Sequence, residues 1–260
     1  MQKTVLFPAL LGACLALPGV ALAEDAAAAA PASPHTVTYN IGLFSQYILR
    51  GMTQTDESPA LQGGVDYSHS SGLYAGAWAS NVSWTTDTNV MDSGSLEIDL
   101  YGGYASTFGK SDFGYNVGVL QYYYPGDNAR GAAETDATEL YGALSWKWAN
   151  VKASYVASDE AWGVYDAQGT WYTEANADVP IGDSGYTVNL HAGRFMFDGS
   201  VGGFSNTHYN YNDWKIGVTK AWDNGVKVGA AWTDNDADGK YWTWKSQTEG
   251  QFTVFVQKVF

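Results

Sequence analysis

Over residues 96–104 apolar and polar side chains alternate one for one. Leu96, Ile98, Leu100, Gly102 and Tyr104 fall on one side, and Glu97, Asp99, Tyr101 and Gly103 on the other. The same rhythm sets Val226, Val228, Ala230 and Trp232 against Lys227, Gly229 and Ala231. A period of two is that of a strand, not a helix. The second face is the constraint: carboxylates, ammonium groups and glycines make no dry core, and the charged ones cannot face lipid without a large cost. A soluble sandwich or lipocalin-like barrel would need bulky apolar residues on that face of every strand. Apolar outside and polar inside is the pattern of a barrel around a wet lumen.

From Val37 onward no window reads as a helix. Strand-like segments recur at 36–50, 60–69, 73–84, 95–107, 112–124, 137–148, 150–158, 169–179, 185–196, 212–222, 225–234 and 250–260. Each is near the length of a tilted membrane strand. Short connections at 70–72, 109–111, 149–150, 181–185 and 223–225 alternate with long ones at 51–59, 85–94, 125–136, 159–168, 197–211 and 235–249. Asn224-Gly225 suits a type I′ hairpin turn, which needs positive φ at both central residues. Rings near strand ends (Trp84, Tyr122 to Tyr124, Trp146, Trp148, Trp171, Tyr172, Trp214, Trp222) read as aromatic girdles. The expected fold is therefore all-β, a transmembrane antiparallel up-and-down β-barrel of about twelve strands. Its last strand, 250–260, should pair with its first, 36–50, because unpaired backbone has no water to turn to in a bilayer.

The N-terminus reads as a secretory signal over residues 1–23, with Lys3, an apolar stretch from Val5 to Leu17, and Ala21-Leu22-Ala23 before Glu24. The stretch is too short to span a membrane. Leu11-Gly12-Ala13-Cys14 also fits a lipobox, at an unusually short distance from the start. Residues 24–35 are an Ala/Pro-rich lead-in, and 36–260 the barrel. Loss of Lys3 from the 13 basic residues leaves 12 against 27 acidic, a net charge of −15. That balance argues against a nucleic-acid partner.

Residues 40–82 carry a long pattern. Asn40, Gly42, Ser45, Tyr47, Arg50, Gly51 and Gln54 come first, then Pro59, Ala60, Gln62, Gly63, Gly64, Asp66 and Tyr67, then Ser71, Gly72, Tyr74, Gly76, Trp78, Ser80, Asn81 and Val82. It resembles the N-terminal signature of the TorF family of porin-like proteins, and covers the first three strands. The resemblance implies an outer-membrane channel and no particular solute. The alternating apolar end with terminal Phe260 resembles the C-terminal signature of bacterial outer-membrane proteins, which implies recognition by the outer-membrane assembly machinery.

Strand direction and parity place Arg50, Glu97, Asp99 and Glu139 in the outer half of the lumen, with Lys215 also high, and Gln62, Asp66 and Glu174 along the wall. Lys147, Lys152 and Lys227 fall near the inner end with Asp178. Arg50, expected close to Gln54, Gln62 and Asp66, reads either as a constriction residue or as a salt bridge that fixes the first loop. With acidic long loops (Asp56, Glu57, Asp87, Asp92, Asp159, Glu160, Asp166), this predicts a cation-favouring mouth, or else charges that pair across and plug the lumen.

Asp234, Asp236, Asp238 and Gly239 open like an EF-hand, but position twelve is Lys245 where a bidentate Glu is needed, which leaves at most a weak divalent-cation loop. Lys110 in "GKS" lacks the first Gly of a P-loop. His35, His69, His191 and His208 show no metal-ligand spacing, and G-x-S-x-G is absent, so His191 reads as a lumen residue and no enzyme or cofactor is expected. The expected function is passive diffusion of small hydrophilic solutes across the bacterial outer membrane. The alternative is a plugged barrel that acts in binding or envelope structure through its acidic loops. Expected partners are outer-membrane lipid and lipopolysaccharide.

Overall fold

The computed structural model describes residues 33–244 and 246–260. The signal segment, most of the lead-in and Lys245 lie outside them. Twelve strands form one closed antiparallel barrel: β1 His35–Phe44, β2 Ala60–His69, β3 Leu73–Asn81, β4 Leu96–Thr107, β5 Phe113–Tyr123, β6 Ala137–Trp146, β7 Ala149–Val156, β8 Trp171–Pro180, β9 Tyr186–Met196, β10 Tyr211–Ala221, β11 Val226–Asn235 and β12 Gln251–Val259. Each strand pairs with its sequence neighbours, and β12 closes on β1 from Asn40↔Val259 to Phe44↔Phe255. All six long connections emerge at one end and the short turns at the other. Among the described residues no helix is long enough to cross a membrane; there is only one short turn of α-helix, Trp84–Asp87, and a 3-10 turn, Asn206–Tyr209.

Parity sorts the faces as the alternation requires. Ile41, Leu43, Leu61, Leu100, Val117, Leu144, Ile216 and Phe252 are exposed on the outside. Trp146, Trp148, Trp171, Trp214 and Trp222 are exposed near the ends of that belt. Trp84, Tyr122, Tyr124 and Tyr172, expected in the girdles, are instead buried inside. Tyr172 shares the inward parity of Glu174 on β8, so position along the strand misled where parity did not. The first strand also departs from expectation. It leaves the sheet after Phe44, where the Ser45 N–H donates to the Val254 carbonyl (2.8 Å) and the Ser45 Oγ accepts from the Val254 N–H (3.0 Å).

Inside the wall, inward glycines lie beneath inward rings of the adjacent strand. A Cβ at Gly76 would collide with Tyr101, at Gly118 with Tyr141, at Gly103 with Tyr74, and at Gly229 with Phe255. Each is the register partner of its ring. These rings therefore lie along the wall, and the tyrosine hydroxyls find partners around the circumference. Tyr101 donates to Asp66, Tyr74 is hydrogen-bonded to Tyr141, and Tyr74 donates to Asn116 (2.6 Å). Enlarging the floor under a ring must push the ring off. Gly76→Val is expected to destabilise the barrel by about 1–3 kcal/mol, the usual cost of overpacking, read from the urea midpoint of the folded-to-unfolded gel shift. A smaller loss is expected at Gly142, where a Cβ meets nothing within 4 Å.

Candidate functional site

The lumen's outer half is filled from the first long connection, residues 45–59. Its centre is a tight hairpin in which Ile48 pairs with Thr53 and Leu49 with Met52. The two turn residues, Arg50 (φ 47°) and Gly51 (φ 81°), both have positive φ, as a two-residue I′ turn demands. Gly51 is required twice over, because a Cβ there would also strike the Asp213 side chain. Residues 50–55 are all buried, so this loop points into the barrel and not into solvent.

Arg50 is the tip. Its Nη2 lies 2.6 and 2.8 Å from the two carboxylate oxygens of Glu139 on β6, and 3.4 Å from the Tyr122 hydroxyl on β5. Its guanidinium carbon stands 4.3 Å from the ring centre of Tyr172 on β8, 4.8 Å from Phe195 on β9 and 5.5 Å from Trp162 in the connection 157–170. A planar cation against ring faces, with a carboxylate at its edge, is a favourable desolvated arrangement. The loop has a second anchor beside the first. Tyr47 donates to Glu97 Oε1 (2.5 Å) and Tyr124 to Glu97 Oε2 (2.6 Å), while the Tyr47 ring meets Trp78 edge-on.

The long connections hold one another. The Gln54 carbonyl accepts from Ser83 and Trp84 N–H, Met91 pairs with Asn128, and Glu134 N–H donates to Glu160. Asn206 Nδ2 donates to the carbonyls of Tyr165, Asp166 and Asp198, and Asn235 Nδ2 to those of Gly51 and Gln247. Glu134, Asp136, Asp159 and Glu160 border a cleft of about 440 Å³ at this mouth. Burial pushes the Asp136 carboxyl above its ordinary range, and Glu134 adds to this, against the Tyr124 N–H that donates to it.

Below the plug the wall carries a polar chain. Lys152 Nζ lies 3.2 Å from Glu174 Oε1, Asn176 Nδ2 donates to Glu174 Oε2 (3.0 Å), and His191 bridges Asn176 (2.7 Å) and Asp213 (2.8 Å). Tyr172 also donates to Asp213. Among the described residues no serine, threonine or cysteine is hydrogen-bonded to His191; the hydroxyl that meets its Nε2 is that of Tyr172, at 3.0 Å.

The expected pore residues divide accordingly. Gln62, Asp66, Glu97, Asp99, Glu139 and Glu174 are buried on the inward face, and Lys152, Lys215 and Lys227 share that face. Lys152 sits level with Glu174, its register partner, higher than expected. Lys147 does not line the lumen: it occupies the β6–β7 turn at φ 51°, exposed, with its ammonium over the outward Trp146 ring. Arg50 is paired with Glu139, not gathered with Gln54, Gln62 and Asp66, because the hairpin carries it across the lumen. Asp66 accepts from Tyr101 and Gln54 donates to Met52. Asp234, Asp236 and Asp238 do not converge: they accept from Asn235, Asn212 and Lys240 N–H respectively, and no group of three acidic, His or Cys residues among those described could hold a metal. Tyr172, Phe195 and Trp162 as a cage were not foreseen; inward parity marks the first two, while nothing local marks Trp162.

Breaking a buried ion pair strands one charge. Arg50→Ala and Glu139→Ala are each expected to cost about 3–5 kcal/mol, and the double variant clearly less than their sum. A double-mutant cycle on urea unfolding in micelles measures this; strict additivity would mean that the two charges do not depend on each other.

No curated protein matches the sequence. Among solved structures the chain is similar to the KdgM porin, at 10% identity and a TM-score of 0.52, over 86% of this chain and 99% of that one. It is also similar to the KdgM porin in complex with disordered oligogalacturonate, at 9% identity and 0.51, over 86% and 98%. At such identity the likeness is one of fold: a closed twelve-stranded barrel. The family model described as a bacterial protein of unknown function, Gcw_chp, matches residues 28–260, and the chain belongs to that family.

Proposed function

We propose that the protein is an outer-membrane channel for small hydrophilic solutes and that the conformation described is its closed one. One observation carries the reading: the buried cation at the centre of the filled outer lumen, Arg50, is borne on a loop hairpin and not on the wall. Several wall rings lie over glycines, and residues 47–54 are the segment whose withdrawal would vacate the Arg50 site, with Trp78, Tyr122, Tyr172 and Phe195 left around it. The outward belt suits outer-membrane lipid and lipopolysaccharide as surroundings, and a barrel of this kind would need the assembly machinery for insertion. The TorF-like signature at 40–82 and the porin fold support the same reading.

The solute of the fold relative does not carry over. A uronate oligomer is a polyanion, whereas here Glu97, Asp99 and Glu139 outnumber Arg50 and Lys215 in the outer half of the lumen. Surplus carboxylates at a constriction favour cations, so we assign a mild cation preference. The second reading is a permanently plugged barrel whose acidic mouth binds or braces; the hydrogen bonds that join the loops favour it.

Planar-bilayer recording separates the two. The folded protein is expected to show rare, brief openings, and a variant with 48–53 replaced by two glycines long-lived steps with a cation-biased reversal potential in a salt gradient. Silence from both folded proteins would leave the plugged barrel.

A further inference from the structure

The cage around Arg50 has the chemistry of a receptor. Its carboxylate and its rings come from β5, β6, β8, β9 and one long connection, while the cation that fills it arrives from elsewhere, on the hairpin tip. That cation is an imperfect occupant. Arg50 is buried, yet its Nη1 has no hydrogen-bond partner. Asp99 is also buried, and its Oδ1 likewise has none. Asp99 lies directly opposite Tyr122 in the β4–β5 ladder, and the Tyr122 hydroxyl is the one 3.4 Å from Arg50 Nη2. A buried carboxylate oxygen without a donor costs free energy that any suitable cation would recover. So the site holds one cation from the chain itself and has the acceptor for a second beside it.

We propose that this cage is a binding site for a cationic solute of the guanidinium or primary-amine class, occupied in the closed state by Arg50, and that a solute with two positive groups displaces Arg50 and opens the lumen. The opening step rests on the channel reading above; the binding step does not. Tethering explains why one charge is not enough. A side chain on its own loop competes at an effective concentration on the order of millimolar or more. A monocation that makes only the Arg50 contacts therefore loses to it. A dication that meets Glu139 with one group and Asp99 with the other makes an interaction that Arg50 cannot.

The test uses the full-length mature protein, refolded in micelles, and Arg50→Ala, with Arg50→Gln as substitute should the alanine variant fail to fold. Saturation-transfer NMR reads binding of methylguanidinium, with neutral methylurea as control. The Arg50 variant is expected to bind methylguanidinium and not methylurea, wild type to bind neither at low millimolar concentration, and the Arg50→Ala/Glu139→Gln double variant to lose it. In bilayers, 4-aminobutylguanidinium is expected to raise the wild-type open probability about tenfold more than methylguanidinium, the effect of one further charge-assisted hydrogen bond. That advantage should vanish in Asp99→Asn. Equal binding of methylurea, or binding that survives loss of Glu139, would overturn the site. Binding as expected with no conductance in any variant would keep the site and overturn the channel. Conductance without binding would do the reverse.

Discussion

A strand in hydrocarbon has no water to satisfy its backbone, so every N–H and C=O must find a partner on another strand. The pairing of β12 with β1 meets that demand for the whole wall, and the rest of the structure depends on it. Once the sheet is closed, its outer face, apolar here, suits the lipid of the proposed setting, and its inner face is left mainly to polar groups. The inner face still carries buried rings, Trp78, Tyr101, Tyr122 and Tyr172 among them, that pack with residues of the long connections. Here it is closed from above, by a segment that brings its own charge to meet the wall's.

That segment can enter because the first strand gives up its ladder early. At Ser45 a side-chain hydroxyl takes over an acceptor role in the ladder, and the chain is free to turn inward at Gln46, whose side chain still reaches Gln251 and the Phe252 carbonyl. The inward turn would expose backbone to a low-polarity interior were it not itself a hairpin. Ile48–Thr53 and Leu49–Met52 satisfy one another, and the remaining carbonyls of Gly51 and Gln54 accept from Asn235 and from Ser83 and Trp84. Tyr47, Leu49 and Met52 of the hairpin pack on buried rings, and its single buried cation is tolerable because Glu139 and three rings await it.

The parts legible in the sequence were those set by period and length. Alternation at 96–104 and 226–232 fixed which side chains face inward, and the contrast of short and long connections fixed the end from which the loops emerge. The site was legible only in part. Arg50, Gln54 and Glu139 stood out as charged or polar groups at the right height, but strand arithmetic runs Arg50 straight up the wall, and only the I′ geometry of Arg50-Gly51 sends it across the axis. Asn-Gly at 224–225 was expected to form that kind of turn because it joins two strong strands, but only Gly225 (φ 81°) has positive φ, and its N–H donates to the Trp222 carbonyl, so the tight turn is 222–225 and not I′. Arg-Gly, which does have I′ geometry, was not expected to, because its flanking strands are two residues long. The partner Glu139 lies 89 positions away, and a contact at that separation leaves no local signal. Lys147 failed for a related reason: a residue in a two-residue turn has left the wall, so its parity no longer says where it points.

The way the plug is held limits how it could move. The bases of the long connections are tied to one another by backbone and amide bonds from Met91–Asn128 to Asn206 and Asp166. None of these bonds involves Arg50. The hairpin is held by one ion pair, a set of ring faces and the Tyr47–Glu97 bond, together with neutral bonds from Asn235 to the Gly51 carbonyl and from Ser83 and Trp84 to the Gln54 carbonyl. These two sets of interactions differ in kind. Bonds between neutral groups at the mouth respond little to a solute's charge, whereas an ion pair in a site of surplus carboxylates is sensitive to any competing cation. A conformational change biased by a solute requires that the solute bind one state better than the other. Of these contacts the Arg50–Glu139 pair is the one that a competing cation would weaken, so under the proposed reading the hairpin from Tyr47 to Gln54 is the segment that would move, once its neutral bonds to Asn235, Ser83 and Trp84 give way as well.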